Sequence, residues 1–99
     1  MNIKIHSAGF TADQKLVGFI QDKMQRLGTF YDKIIDVDVF LKLDCHAKIR
    51  DKVVEVRTNV PGSTLFAENT AMSFENATVD VFETVKKQLS KKKELSKGF

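Results

Sequence analysis

Residues 35–44 read IDVDVFLKLD: Ile35, Val37, Val39, Leu41 and Leu43 occupy alternate positions, with Asp36, Asp38, Phe40, Lys42 and Asp44 between them. Alternation sustained over that length is the period of a strand with one face in a core and the other in water. The chain is therefore built around a sheet. Upstream, Asn2 to Ser7 repeats the pattern, with Ile3 and Ile5 on one side and Lys4 and His6 on the other. Downstream, after a polar connector at 45–51 (CHAKIRD), Val54, Val56, Thr58 and Val60 alternate with Glu55, Arg57 and Asn59, which predicts a third strand. Pro61-Gly62 then predicts a tight hairpin into a short fourth strand, with Leu65 and Ala67 on one side and Thr64, Phe66 and Glu68 on the other.

Two segments have the helical period instead. Thr11 and Gln14 have capping-box spacing, and Gly28 follows Leu27 where a helix would stop. Between them Leu16, Phe19, Ile20, Met24 and Leu27 form one apolar stripe. Lys23 falls inside that stripe, so its stem is expected on apolar surface with the ammonium at the rim. Ser73 precedes a second stripe of Phe74, Ala77, Thr78, Val81, Phe82, Val85 and Leu89. That helix is expected to reach about Leu95, a span of roughly 35 Å at 1.5 Å per residue. The order β-α-β-β-β-α predicts an α+β fold, a four-stranded sheet with two helices packed on one face. Residues 1–99 are expected to form a single domain, with 95–99 a frayed tail.

Composition agrees: 99 residues, 42% hydrophobic and 29% charged, suit one globular core. The opening MNIKIHSAGF has no apolar run of the signal-peptide kind, and no stretch approaches the ~18 apolar residues of a membrane span. Cys45 is the only cysteine, so no internal disulfide forms. A cytoplasmic protein without membrane association is expected.

Charge is the most unequal property of the chain. The last fourteen residues (KKQLSKKKELSKGF) carry six lysines against one glutamate, within a chain whose net charge is only +3. Lys86, Lys93 and Lys97 share one side of the predicted helix, and Lys87 and Lys91 border it. Cations near a helix C-terminus complement its dipole by ~0.3–1 kcal/mol. One or two lysines would satisfy that effect, whereas crowded like charges at helical spacing repel one another. A phosphate backbone supplies the missing benefit, because each neutralised phosphate releases condensed counterions. Lys15, Lys23 and Arg26 on the first helix extend the same patch if the two helices lie side by side.

Other chemistries find little support. His46 beside Cys45, with His6 distant, falls short of the three or four spaced ligands of a zinc site. Adjacent Cys45 and His46 point to opposite sides of an extended segment and do not make a nucleophilic pair. No glycine-rich phosphate loop, G-x-S-x-G or H-E-x-x-H occurs. Asp36 and Asp38 are explained by alternation on a solvated face. The protein is expected not to be an enzyme, and no cofactor or metal is expected. The second sheet face mixes Lys4, His6, Asp36, Asp38, Lys42, Glu55 and Arg57 with Phe40 and Phe66, read as cross-strand neighbours. Neither the element order nor the aromatic signature of an RRM is present.

Three stretches together carry a family pattern: Phe30-Tyr31-Asp32-Lys33-Ile34, Val60-Pro61-Gly62-Ser63-Thr64-Leu65 with Ala67-Glu68, and Gln88-Leu89-Ser90-Lys91-Lys92-Lys93. On these, nearly the whole chain resembles the short form of the ribosome hibernation promoting factor family, related to the ribosome-associated translation inhibitor. The resemblance implies a fold similar to double-stranded RNA-binding domains. It also implies a partner, the small ribosomal subunit with its 16S-type ribosomal RNA, and occupation of the mRNA and tRNA space at the A and P sites. Idle ribosomes would thereby be held inactive in stationary phase or stress, in competition with mRNA and tRNA.

Carried over by position, the residues matching the family's RNA-facing positions are Lys23, Arg26, Lys87, Lys91 and Lys93. Lys86 and Lys97 join them from helical geometry alone. The chain departs from the family at Thr84, where many members have lysine, and at Glu75, where many have tyrosine. Lys86 is the cation available to compensate. Ending at Phe99, the chain lacks the C-terminal domain of long-form members and the extended tail of the inhibitor paralogue; a short-form factor, monomeric when free, is expected. Two other readings are a general double-stranded RNA-binding module and a protein-interaction domain whose lysines only solubilise it.

Overall fold

A computed structural model describes residues 1–46, 48–49 and 51–97, the side chains of 94–97 excepted. The elements are β1 (Asn2–Ser7), α1 (Gln14–Gln25), a 3-10 turn (Arg26–Thr29), β2 (Asp36–Leu43), β3 (Lys52–Val60), β4 (Ser63–Ala71) and α2 (Phe74–Lys97). The strands lie in the order β1-β2-β3-β4. β1 is parallel to β2, as a helical crossover requires, and the remaining pairs are antiparallel.

One face of this sheet makes the core. Ile3 and Ile5 pair with Val37 and Val39, Val39 with Val56, and Val56 with Ala67. Their side chains share a face because strand alternation has a period of two. Against it pack Ile20, Met24 and Leu27 from α1 and the following turn, and Val81, Val85 and Leu89 from α2, all fully buried. The two helices also touch each other.

Four boundaries differ from the sequence reading. The N-cap of α1 is Asp13, whose Oδ1 accepts from the Leu16 amide at 2.8 Å, rather than Thr11. A carboxylate both caps the free amide and meets the positive helix end, so it displaces the threonine. Gly28 is not a left-handed stop: the chain tightens into the 3-10 turn, with the Phe30 and Tyr31 amides both donating to the Leu27 carbonyl. β4 runs to nine residues instead of being short. Its alternation is masked in sequence because the inward position after Ala67 is Asn69, whose Oδ1 accepts from Thr84 Oγ1 of α2 at 3.2 Å. The helix α2 starts as predicted, with Ser73 Oγ accepting from the Asn76 amide, and continues through Lys97 rather than Leu95.

The hairpin at Pro61-Gly62 pairs Val60 with Ser63 and needs Gly62 at φ 81°, a left-handed value that glycine adopts without penalty. Along β4, the last strand of the sheet, α2 makes a clasp of three side chains. Besides Thr84, Gln88 Nε2 donates to the Phe66 carbonyl at 2.6 Å, and Lys92 Nζ to Ser63 Oγ at 3.2 Å.

On the solvent face of the sheet, Phe40 and Phe66 are not neighbours, because β3 lies between them. The Arg57 guanidinium fills the gap, 4.8 Å from the Phe40 ring centroid and 5.5 Å from that of Phe66. His6 stacks on Phe40 at 4.7 Å and meets Asp38 at 3.2 Å. Asp36 accepts from the Asn59 amide group, so neither aspartate stands unpartnered. Glu55 takes Lys42 at 2.7 Å and Arg57 Nε at 3.1 Å, with its side chain only 13% exposed.

The hydrogen bond from Lys42, aided by Arg57, holds the Glu55 carboxyl below the ordinary glutamate range. A carboxylate with a depressed native pKa contributes stability that is complete above its unfolded pKa and is lost as pH falls through the native one. Acidification below about pH 4.5 should therefore cost wild type more than Glu55→Gln. Urea midpoints at pH 7 and pH 3.5 check this: the difference between the two proteins should shrink in acid.

Candidate nucleic-acid interface

The seam between α1 and α2 is aromatic. Phe82 of α2 meets Phe30, just after the 3-10 turn, edge to face at 6.2 Å between centroids. A lysine from each helix sits on this pair: Lys23 Nζ is 4.8 Å from the Phe82 ring centroid, and Lys86 Nζ is 4.8 Å from that of Phe30. The negative ring face attracts an ammonium by ~0.5–1 kcal/mol at exposed sites, so both cations are held in place rather than swinging free. Lys23 and Lys86 are half-buried while their stems cover the seam.

Around these two anchored cations lie freer ones. Lys87 and Lys91, with Lys86, Glu83 and Ser90, line an open groove along the outer side of α2. Lys93 projects toward the loop after the 3-10 turn and lines a cavity with it. Arg26 is exposed at the start of that turn, and Lys15 is exposed on the first turns of α1. The structure thus brings Lys23, Lys86, Lys87, Lys91 and Lys93 onto the two-helix side of the molecule. No hydrogen bond, ion pair or ring contact joins the Arg26 side chain to another described residue. The Lys97 side chain lies outside the described residues.

Two further side chains of α2 turn to the sheet or to their own helix. Lys92 turns away to Ser63 on the hairpin, and Thr84 turns to Asn69 and the Asp80 carbonyl. Thr84 is therefore spent on docking α2 to β4, and Lys86, two positions on, supplies the cation over the seam. Among the described residues, Lys23, Lys86, Lys87, Lys91 and Lys93 form no ion pair; the four ion pairs all lie on the strands and the β2–β3 connection. Glu83 lines the groove of Lys86, Lys87 and Lys91, and Asp32 the cavity of Lys93, yet no ion pair closes on these ammonium groups among the described residues, which leaves them able to meet an anion from outside.

Sequence reasoning missed the aromatic seats. Phe82 was legible only as core, although it stands four residues before Lys86 on the same helix. Phe30 had no assigned role. The signal was Lys23 itself, a cation inside an apolar stripe. Elsewhere, Cys45 is exposed in a turn, where the His46 amide donates to Asp44 Oδ1 at 3.0 Å. Among the described residues no group of three or more His, Cys, Asp or Glu side chains is gathered, and no helix is long and apolar enough to cross a membrane.

Residues 3–97 match the family model described as Sigma 54 modulation protein / S30EA ribosomal protein. Among solved structures, a ribosomal subunit interface protein from Coxiella burnetii superposes with a TM-score of 0.84 at 22% identity, covering 95% of this chain and 99% of the other. The N-terminal domain of Protein Y from Thermus thermophilus superposes with a TM-score of 0.78 at 18% identity, covering 92% of this chain and 98% of that one. At such identities these likenesses establish a shared fold. No curated protein matches the chain significantly.

Proposed function

Because the chain belongs to the Sigma 54 modulation protein / S30EA ribosomal protein family, we propose that it binds the small ribosomal subunit through the two-helix face. There it occupies the mRNA and tRNA region at the A and P sites, and idles ribosomes under stress or in stationary phase. The observation that carries this reading is the run of ammonium groups that form no ion pair among the described residues, two of them seated on the Phe30 and Phe82 rings. A phosphate backbone matches such an array, and its contacts position a protein without reading sequence. The Coxiella burnetii structure, described as a ribosomal subunit interface protein, supports the choice of partner. The mechanism is occlusion: a rigid domain fills the channel and makes no or breaks no covalent bond.

Cosedimentation with small subunits at near-physiological salt, with and without tRNA in the P site, tests this. Saturable one-to-one binding that tRNA displaces is the expected result. Binding indifferent to tRNA would move the site elsewhere, and duplex RNA competing as well as ribosomes would reduce the protein to a general RNA-binding module. With about five phosphates neutralised, log K against log salt should slope near −3 to −5. A flat plot would remove RNA from the account altogether.

A further inference from the structure

Where the 3-10 turn passes into the loop before β2, the chain forms a half-open cavity of about 460 Å³ against the basic end of α2. Cavities of ~300–1,000 Å³ are the size of small-ligand sites. Phe30 and Tyr31 provide its aromatic lining, and Lys33 and Lys93 its cations. Phe30 is half-buried, already fixed by Phe82 and Lys86. Tyr31 is only 8% exposed. Its hydroxyl has no hydrogen-bond partner among the described residues, and neither Lys33 nor Lys93 is in an ion pair there. Gly28 completes the lining from the turn, and Asp32 brings one carboxylate acceptor.

These groups have the chemistry of one nucleotide. Aromatic rings take a base, ammonium groups its phosphate, and a phenol and a carboxylate the donors and acceptors of its edge. Sequence-bearing contacts to RNA are made in this way, to bases splayed out of loops and bulges. We infer that this cavity receives a single extruded nucleotide of the bound RNA, its base against Phe30 with the largely buried Tyr31 at its edge, and its phosphate on Lys33 and Lys93. This rests on the proposed binding of ribosomal RNA and adds what the lysine array lacks: a contact that fixes the register of the domain on its partner. A double-stranded stem offers no free base and leaves the cavity unused.

The test fills the cavity without touching charge. Thr29 is exposed on the turn and lines the cavity, and its hydroxyl serves only the Arg26 carbonyl. Thr29→Trp should weaken binding to small subunits by roughly tenfold, the order of one lost base stack, with the salt slope unchanged because no cation is removed. Equal affinity in variant and wild type would overturn the inference, as would weaker binding with a shallower slope. Should Thr29→Trp fail to melt cooperatively, Tyr31→Phe, which removes one oxygen, takes its place with an expected loss of about threefold. Independently, adenosine, guanosine, cytidine and uridine monophosphates in the millimolar range should shift amide resonances of residues 28–33 in the free protein. Shifts confined to the α2 lysines would overturn the inference. Wild type failing to bind subunits at all would sink the ribosomal reading, whereas wild type binding with an indifferent cavity variant sinks only the nucleotide site.

Discussion

Changing Lys87, Lys91 and Lys93 together to glutamate is expected to abolish the proposed binding to small ribosomal subunits and to leave unfolding cooperative. All three side chains are exposed, and none packs on the apolar stripe of α2. Hydrogen bonds to charged groups contribute about 1.5–3 kcal/mol each, so losing three costs roughly a thousandfold in affinity or more. Three new carboxylates add repulsion against phosphate. The fold suffers little: crowded lysines at helical spacing already repel, and their relief offsets the unfavourable meeting of glutamate with the helix C-terminus, at ~0.3–1 kcal/mol per charge. Cosedimentation reads the first effect and urea denaturation the second. Retained binding would mean that the outer groove of α2 does not face the ribosome.

Phe82→Ala should lower stability by ~3–5 kcal/mol, the cost of removing a buried aromatic ring and leaving a cavity. Phe82 is 5% exposed and lies where α1, α2 and the Phe30 loop meet. A domain of this size has ~5–15 kcal/mol in all, so the variant is expected to unfold at far lower urea. Phe82→Leu separates packing from electrostatics. It should recover most of the stability, falling short by ~1–1.5 kcal/mol. It also removes the ring beneath Lys23, and ribosome binding should weaken a few-fold, the loss of ~0.5–1 kcal/mol of cation–π attraction. Identical binding by Phe82→Leu and wild type would show that Lys23 needs no seat.

What the sequence made legible followed from periodicity. Every strand and both helices are announced by alternation or by helical stripes, because each buries one face against the same core. The errors include one polar residue at a core-facing position and one at a helix cap. Asn69 conceals the second half of β4 until Thr84 is seen to bond it, and Asp13 outcompetes Thr11 as a cap by a charge that pattern matching does not weigh. In the site, the lysines are visible as composition. What separates Lys86, on a ring, from Lys92, on the hairpin, is their angle about α2 relative to the sheet, which only the packed helix defines. The cavity after the 3-10 turn was invisible for the same reason, being formed by residues some sixty positions apart in the chain.

The clasp of Thr84, Gln88 and Lys92 over β4 has a bearing on how this protein behaves when it accumulates. A sheet with two open edges stacks without limit, since each added copy presents a fresh edge to the next; runaway edge-to-edge growth needs both ends of the joint. Here the Phe66 carbonyl is already taken by Gln88, and the hairpin end by Lys92. The helix that carries the charge thus also covers part of the β4 edge, taking one of the backbone acceptors that an incoming strand would need.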